Sequence, residues 1–273
     1  NYQDPNNGFR CYAGERTFMD FMFINEISKN VDGYRLSTYF YKDKYSNGGK
    51  LKAGPAWDFD ISYMNAKYCQ AEVDTGWGYN VSYVCPGAAV PAYWERMMSD
   101  SLFRMRVRCR WASFRQGILN TDTLLAYIDS TVAYIKAGQQ RNFVTWPILG
   151  QATWPEPNPI PQSYAEEIQR LKGWLVTRLA WLDSKIYAFD ALSLNVNLGS
   201  DTTLCGGNVV VLDGGSFDMY QWSNGLNAAQ INITASGTYT ITVSDDFGCS
   251  GTDSRVVIFD EQPVLYLGAD TTL

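Results

Sequence analysis

Histidine is absent from this sequence of 273 residues, and none of its six cysteines belongs to a Cys-x-x-Cys pair. Histidines and paired cysteines are the usual ligands of zinc, so a zinc site is not expected. A basic surplus is also missing, because 28 acidic residues outnumber 22 basic ones. The chain is therefore not expected to bind nucleic acid. No apolar run is long enough to span a membrane, and no signal-peptide pattern opens the chain.

What the sequence does contain is ample material for a packed core, with 46% hydrophobic and 15% aromatic residues. The length favours two domains. The pattern changes near residues 191–197, which predicts one domain over 1–190 and a second over 191–263. Residues 198–204 (LGSDTTL) recur as 267–273 (LGADTTL). Because that spacing equals a small domain, we expect a further repeat to begin at 264–273, in a piece of a longer multidomain protein.

The first domain reads as mainly helical, and the second as β-rich. Apolar periodicity predicts helices over 16–28, 93–98, 101–117, 121–138 (with Thr121 as its cap) and 163–187 (opened by Ser163). Strands over 34–42 and 50–58 should form an antiparallel hairpin around the turn at 46–49, and 62–90 should be a long loop. The arginines of 101–117 are expected on a solvated face rather than at a phosphate site.

After residue 193, short alternating runs are separated by Gly, Asn and Asp turns. The runs cover 209–212, 219–222, 230–234 and 238–243, which indicates a small β-sandwich of immunoglobulin-like type with Trp222 as its buried aromatic residue. The fold class predicted for the whole chain is therefore α+β.

The six cysteines suggest disulfides and an oxidising, extracytoplasmic compartment. Cys69 and Cys85 flank a Gly/Tyr-rich loop that a disulfide would close. Cys205 and Cys249 bracket the β-rich segment and could staple it. For Cys11 and Cys109 two alternatives stay open, a disulfide between them or buried free thiols.

Residues 54–60 (GPAWDFD) hold two carboxylates just past a predicted strand. Strand alternation would turn Asp58 and Asp60 to one face and Phe59 to the other. Two like charges this close call for a cation or a donor between them, and Mg²⁺ prefers such oxygens. The alternative is a polar strand exit that faces solvent.

Four segments together resemble the CotH family, the spore-coat-type atypical protein kinases. They are 23–26 (FINE), 30–39 (NVDGYRLSTY), 54–60, and 141–143 (RNF) followed by Trp146 and Pro147. The resemblance covers residues 15–187 and is to the secreted form found in Bacteroidetes-like bacteria. It implies that residues 1–190 are the carboxy-terminal, mostly helical lobe of a kinase-like domain, followed by an immunoglobulin-like repeat.

The resemblance also implies roles for individual residues in transferring phosphate from ATP with Mg²⁺. Asp32 would be the catalytic base, Asp58 the metal ligand and Asp60 a second ligand. Asn25 and Ser37 would support cofactor binding, although Ser37 stands where many kinases have a metal-binding Asn. Without the family resemblance, Asp32 could equally be a turn residue before Gly33.

A Gly-rich phosphate loop and a strand lysine are both missing before residue 15, so we expect a truncated kinase-like domain without its amino-terminal lobe. Residues 1–273 alone should neither bind ATP tightly nor transfer phosphate to protein hydroxyls. The alternative is a non-catalytic, adhesive surface scaffold with a degenerate kinase-like fold. In both cases the expected partner is a protein substrate or surface partner, and the expected location is extracellular or at the cell surface, with further repeats following.

Overall fold

The computed structural model describes residues 2–4, 7–155, 159–261 and 268. The chain divides into two compact units, Asn1–Asp190 and Ala191–Leu273. Helices and strands are both present, so the predicted α+β class is confirmed. The predicted start of a further repeat, 264–273, lies outside the described residues except for Gly268.

The helices of the first unit are α1 (Glu15–Ser28), α2 (Tyr93–Ser99), α3 (Ser101–Gln116), α4 (Thr121–Thr145) and α5 (Tyr164–Ile186). All five were predicted. Ser163 caps α5 as expected, because its hydroxyl accepts the Glu166 amide at 3.2 Å. The predicted cap of α4 is wrong, since the Asn120 side chain accepts from the Asp122 amide at 2.9 Å. This helix also runs on to Thr145, well beyond its predicted end.

The core of the first unit forms around α1. Its Phe23 lies 5.3 Å from the Trp111 ring of α3, and its Phe21 lies 6.0 Å from the Trp94 ring of α2. Helix α5 adds a buried stripe: Trp174, Leu175, Leu179, Leu182 and Ile186. Burial of these large side chains is the main stabilising contribution to the unit. Helix α4 buries none of its residues.

The arginines of α3 do not form a solvated face, so that prediction is wrong. Arg106 pairs with Glu15 at 2.5 Å, Arg110 with Asp20 at 2.5 Å, and Arg115 with Asp183 at 3.0 Å. The acidic partners lie on α1 and α5, which pack beside α3. Helical periodicity alone cannot show this, because the partners are 68 to 91 residues distant in sequence.

The predicted hairpin is present but shorter than expected. Strand β1 (Phe40–Lys42) pairs antiparallel with β2 (Leu51–Ala53), and Gly48 and Gly49 both take positive φ in the connecting turn. Residues 34–39 are turn and coil instead of strand. The reason is local, because the Asp32 carbonyl accepts the amides of Arg35, Leu36 and Ser37 and coils the chain into a turn. The loop 62–90 contains a 3₁₀ helix, Gly78–Tyr83.

Two sheets are present among the described residues of the second unit. One has the order β3-β8-β7-β5, built from β3 (Thr202–Cys205), β5 (Met219–Trp222), β7 (Gly237–Ser244) and β8 (Ser250–Asp260). The other pairs β4 (Val210–Asp213) with β6 (Gln230–Ile233). Trp222 is buried among Leu212, Ile231 and Ile241, as predicted. Strands β3 and β8, which pair in parallel, were not predicted.

The cysteines follow the predictions only in part. Cys69 and Cys85 form the expected disulfide. Cys205 is an exposed free thiol, so the predicted staple to Cys249 is wrong. Cys11 is an exposed thiol, which contradicts both alternatives stated for it, a disulfide with Cys109 and a buried thiol.

Within the described residues, no helix has the combined length and hydropathy that crossing a membrane requires.

Candidate functional site: two acidic loops beside helix α1

The first acidic loop begins where α1 ends. Lys29 takes a left-handed conformation (φ 48°) and stops the helix. Its ammonium group donates to the carbonyl oxygens of Gln70, Val73 and Thr75 at 2.6–2.7 Å. Burial and the positive charge of Arg178 lower the pKa of Lys29 to about 8. These contacts fix the point from which the loop leaves the helix.

Asp32 lies in the turn that follows. Its carbonyl accepts the amides of Arg35, Leu36 and Ser37 at 3.0–3.1 Å. Its carboxylate is paired with Arg35, with Nη2 and Oδ1 2.5 Å apart, and both side chains are about one-fifth exposed. The candidate base is therefore reachable from solvent but is held by a cation.

The second acidic loop follows β2. Because that strand ends at Ala53, Asp58 and Asp60 do not lie on a strand. The prediction that strand alternation turns both side chains to one face therefore loses its basis. Asp58 instead has a positive φ of 64°, which is uncommon for a residue other than glycine and marks a locally constrained backbone. Its exposed carboxylate accepts a hydrogen bond from the Ser37 hydroxyl at 3.2 Å.

Ser37 and Asn30 connect the two loops. Ser37 donates its amide to the Asp32 carbonyl and its hydroxyl to the Asp58 carboxylate. Asn30, which is 1% exposed, accepts the Asp32 amide at 3.1 Å and donates to the Asp58 carbonyl at 2.9 Å. The structure therefore brings the Asp32 turn and the Asp58 loop together although the two residues are 26 positions apart in sequence.

Asp60 is exposed, and its carbonyl accepts from the Asn65 side chain at 2.7 Å. Its carboxylate shares a neighbourhood with Asp32, since both act on Tyr68. Partial burial raises the pKa of Tyr68, the negative charges of Asp32 and Asp60 raise it further, and Arg35 opposes them. The charges of Asp32, Arg35 and Asp60 therefore all act on one phenol.

Asn25 does not face the surface. It is 1% exposed, and its amide nitrogen donates to the Phe21 carbonyl at 2.9 Å. Gly33 packs directly on it, because a Cβ at Gly33 would lie 1.8 Å from Asn25 Oδ1. Asn25 therefore lies beneath the Asp32 turn and supports it from inside the fold.

Glu26, the next residue, anchors the surroundings of the site. Its carboxylate accepts from the Tyr34 hydroxyl at 2.8 Å, from the amides of Gly78 and Tyr79, and from Arg178 at 3.0 Å. Both charged side chains are almost fully buried. With these donors the buried carboxylate acts as a structural anchor between α1, α5 and the loop 62–90.

The oxygens of the two loops suit a hard cation. Among the described residues, no group of three acidic, histidine or cysteine side chains could hold a metal ion. Mg²⁺ nevertheless often takes only one or two carboxylates and completes its shell with water and phosphate. Asp58 and Asp60 are exposed, and neither forms an ion pair with a described residue. Asp58, with Asp60 as a further candidate, fits Mg²⁺ in this sense.

Two residues of the site were missed from sequence. For Asn30 a recognisable local signal exists, because an Asn two residues before an Asp can accept its amide. Arg35 lies three residues after Asp32, a spacing at which a turn brings opposite charges together. The contact of Asn30 with Asp58 has no local signal, because it spans 28 residues.

Comparison with known proteins agrees with this geometry. A family model described as CotH kinase protein matches residues 15–182, which is more than half of the chain. The match includes both acidic loops, helices α1 to α4 and most of α5. No curated protein matches the chain. On the strength of the family match, the chain belongs to the CotH kinase protein family.

Proposed function

We propose that the first unit is a kinase C-lobe-like domain that provides one half of a phosphoryl-transfer site, in a secreted bacterial protein kinase of CotH type. The observation that carries this proposal is the double connection made by Asn30 and Ser37, which holds an Asp-bearing turn against an Asp-bearing loop. Kinases need such a pair, one carboxylate to accept a proton and one to hold the metal.

In the proposed reaction a protein hydroxyl attacks the terminal phosphate of ATP. A new P–O bond forms to the hydroxyl oxygen while the bond to the leaving diphosphate breaks, and the hydroxyl proton passes to the Asp32 carboxylate. Asp58 and Asp60 hold the metal position, and Ser37 orients Asp58. Mg²⁺, when bound, neutralises charge on the phosphates.

Asn25 has a supporting role in this proposal. Because it is buried beneath Gly33, it holds the turn of Asp32 in place and does not contact a cofactor directly. A Gly-rich phosphate loop and a strand lysine are not provided before residue 15, so we infer that residues 1–273 by themselves bind ATP weakly and do not transfer phosphate.

We further propose that the second unit is an immunoglobulin-like sandwich of the kind that extends secreted proteins. Its two sheets and the buried Trp222 support this assignment. The Cys69–Cys85 disulfide in the first unit is compatible with an extracellular location.

A second function has one observation in its favour. The ion pair between Arg35 and Asp32 occupies the candidate base, as expected if the fold were retained only as an adhesive scaffold. A scaffold of this kind would bind surface partners and would have no protein substrate.

The test is binding of Mn²⁺, a spectroscopic substitute for Mg²⁺, measured by electron paramagnetic resonance on the whole chain. We expect about one site, lost in Asp58→Asn and kept in Asp122→Asn, an exposed carboxylate at the start of α4. A wild-type chain that binds no Mn²⁺, or an Asp58→Asn chain that binds it equally well, would contradict the kinase proposal and favour the scaffold.

In a kinase-active form of the protein, Asp32→Asn should lower kcat about 10²-fold or more.

A further inference from the structure

Arg35 has donors that the protein does not use. One guanidinium nitrogen, Nη2, lies 2.5 Å from Asp32 Oδ1. Its Nε is buried and has no hydrogen-bond partner. Among the described residues Asp32 is its ion-pair partner, and that single contact leaves the Nη1 hydrogens and one Nη2 hydrogen without a hydrogen bond inside the protein.

The surroundings of Arg35 are acidic. Asp32 contacts it directly, Asp58 is joined to the same turn through Ser37, and the charges of Asp32, Asp60 and Arg35 all act on Tyr68. The guanidinium is one-fifth exposed, and it belongs to the turn that carries the candidate base and that Ser37 joins to the candidate metal ligand Asp58. Its planar fork matches the oxygens of a phosphate group, with two parallel N–H···O bonds.

From this arrangement we propose that Arg35 is a phosphate-binding residue, whose ligand is a phosphate monoester or the terminal phosphate of a nucleotide. The inference rests on the proposed function, because it assigns Arg35 as the side chain that binds the phosphate group at the proposed phosphoryl-transfer site. In the absence of ligand, Arg35 pairs with Asp32. When phosphate is bound, the guanidinium turns to its oxygens and the Asp32 carboxylate is released to accept the hydroxyl proton.

This role differs from mere support of Asp32 in one respect that can be measured. If Asp32 and a phosphate compete for the same guanidinium, neutralising Asp32 must strengthen phosphate binding. If Arg35 only holds Asp32 in place, phosphate affinity should not depend on either side chain.

The experiment titrates inorganic phosphate into the whole chain without divalent metal, followed by ³¹P NMR line broadening. Arg35→Gln should weaken binding roughly tenfold or more, because it removes a charge-assisted hydrogen bond. Asp32→Asn should tighten binding, and Arg35→Lys should lie between wild type and Arg35→Gln. Arg141→Gln, an exposed arginine on α4, is the matched control and should bind as wild type does.

Phosphate binding that is absent in wild type, or unchanged in both Arg35→Gln and Asp32→Asn, would overturn the inference. Thermal melts of each variant show whether it has kept its fold, and Arg35→Lys keeps the positive charge if Arg35→Gln does not fold. The outcome is separable from the proposed function, because the Mn²⁺ test with Asp58→Asn can succeed whether or not Arg35 binds phosphate.

Discussion

The side-chain amide of Asn30 donates to the main-chain carbonyl of Asp58 at 2.9 Å, across 28 residues of sequence. The oxygen of the same amide accepts the Asp32 amide at 3.1 Å. One buried side chain therefore sets the distance between the turn of the candidate base and the loop of the candidate metal ligand. Because both bonds end on main-chain atoms, Asn30 positions the backbone and uses neither carboxylate.

Replacing Asn30 by Asp tests this connection. The substitution keeps the shape but removes the N–H donor, and it places a buried carboxylate against the Asp58 carbonyl. We expect a loss of about 2–3 kcal/mol in the free energy of unfolding, measured by urea denaturation, because a buried acceptor is left unsatisfied. Mn²⁺ affinity should fall in parallel.

Asn65 provides the matched control for that substitution. Its side chain donates to the Asp60 carbonyl at 2.7 Å, but it is exposed, so water can replace the lost donor. Asn65→Asp should cost less than about 1 kcal/mol. Equal costs at the two positions would show that Asn30 has no special role.

Position 33 requires a glycine, because its backbone lies too close to the Asn25 side chain for any other residue to fit. A Cβ would lie 1.8 Å from Asn25 Oδ1, and both residues are buried. Gly33→Ala must therefore displace either Asn25 or the Asp32 turn, and we expect a loss of about 1–3 kcal/mol in urea denaturation. The same change at Gly138 on α4 meets no atom within 4 Å and should be neutral or stabilising by up to about 1 kcal/mol. Two equally stable variants would contradict the close packing of this turn.

The buried pair of Glu26 and Arg178 makes a different prediction. The two side chains are 1% and 0% exposed, and burial lowers the pKa of Arg178 while the Glu26 charge raises it. Glu26→Gln keeps the shape but leaves the guanidinium without its counter-charge, so we expect a loss of about 3–5 kcal/mol in the free energy of unfolding. The exposed carboxylate of the Asp129–Lys172 pair is the control, and Asp129→Asn should cost at most about 1 kcal/mol.

A second variant separates charge from packing at this pair. Combining Glu26→Gln with Arg178→Met removes both charges, and part of the lost stability should return relative to Glu26→Gln alone. A double variant that is simply the sum of its two single changes would indicate that the pair is not coupled.

The sequence predicted the helices well because their apolar periodicity is a local property. Helix α5 and its Ser163 cap are examples, and both are present as expected. The strand predicted over 34–42 shows the limit. Its Tyr, Phe and Thr residues favour β-structure, but the hydrogen bonds of the Asp32 carbonyl coil its first half into a turn.

The candidate site could be predicted only in outline. Family resemblance selected Asp32 and Asp58, and the structure shows how Ser37 and Asn30 bring their loops together. The ion pair between Arg35 and Asp32 was not expected, although their spacing permits it. Pairings across the chain, such as Glu26 with Arg178 over 152 residues, have no periodicity to reveal them.

Alkaline pH should destabilise the first unit through Tyr34. Its hydroxyl is fully buried and donates to Glu26 at 2.8 Å, and burial together with the Glu26 charge raises its pKa well above 10. Above pH 10 the unfolded chain loses this proton while the folded chain keeps it. The free energy of unfolding should therefore fall as pH rises past 10, by up to about 1.4 kcal/mol per pH unit for this group.

Tyr34→Phe removes the titrating group, so the slope of unfolding free energy against pH above 10 should decrease by about that amount. Some slope should remain, because burial also raises the pKa of Tyr63 and, to about 12, that of Tyr93. At neutral pH the variant should lose about 1 kcal/mol with its hydrogen bond to Glu26. Tyr134→Phe on α4, where the side chain is 91% exposed, is the control and should leave the slope as it is. Urea titrations at several values between pH 8 and pH 11 measure both effects, and an unaltered slope in Tyr34→Phe would contradict the assignment of this proton to the buried phenol.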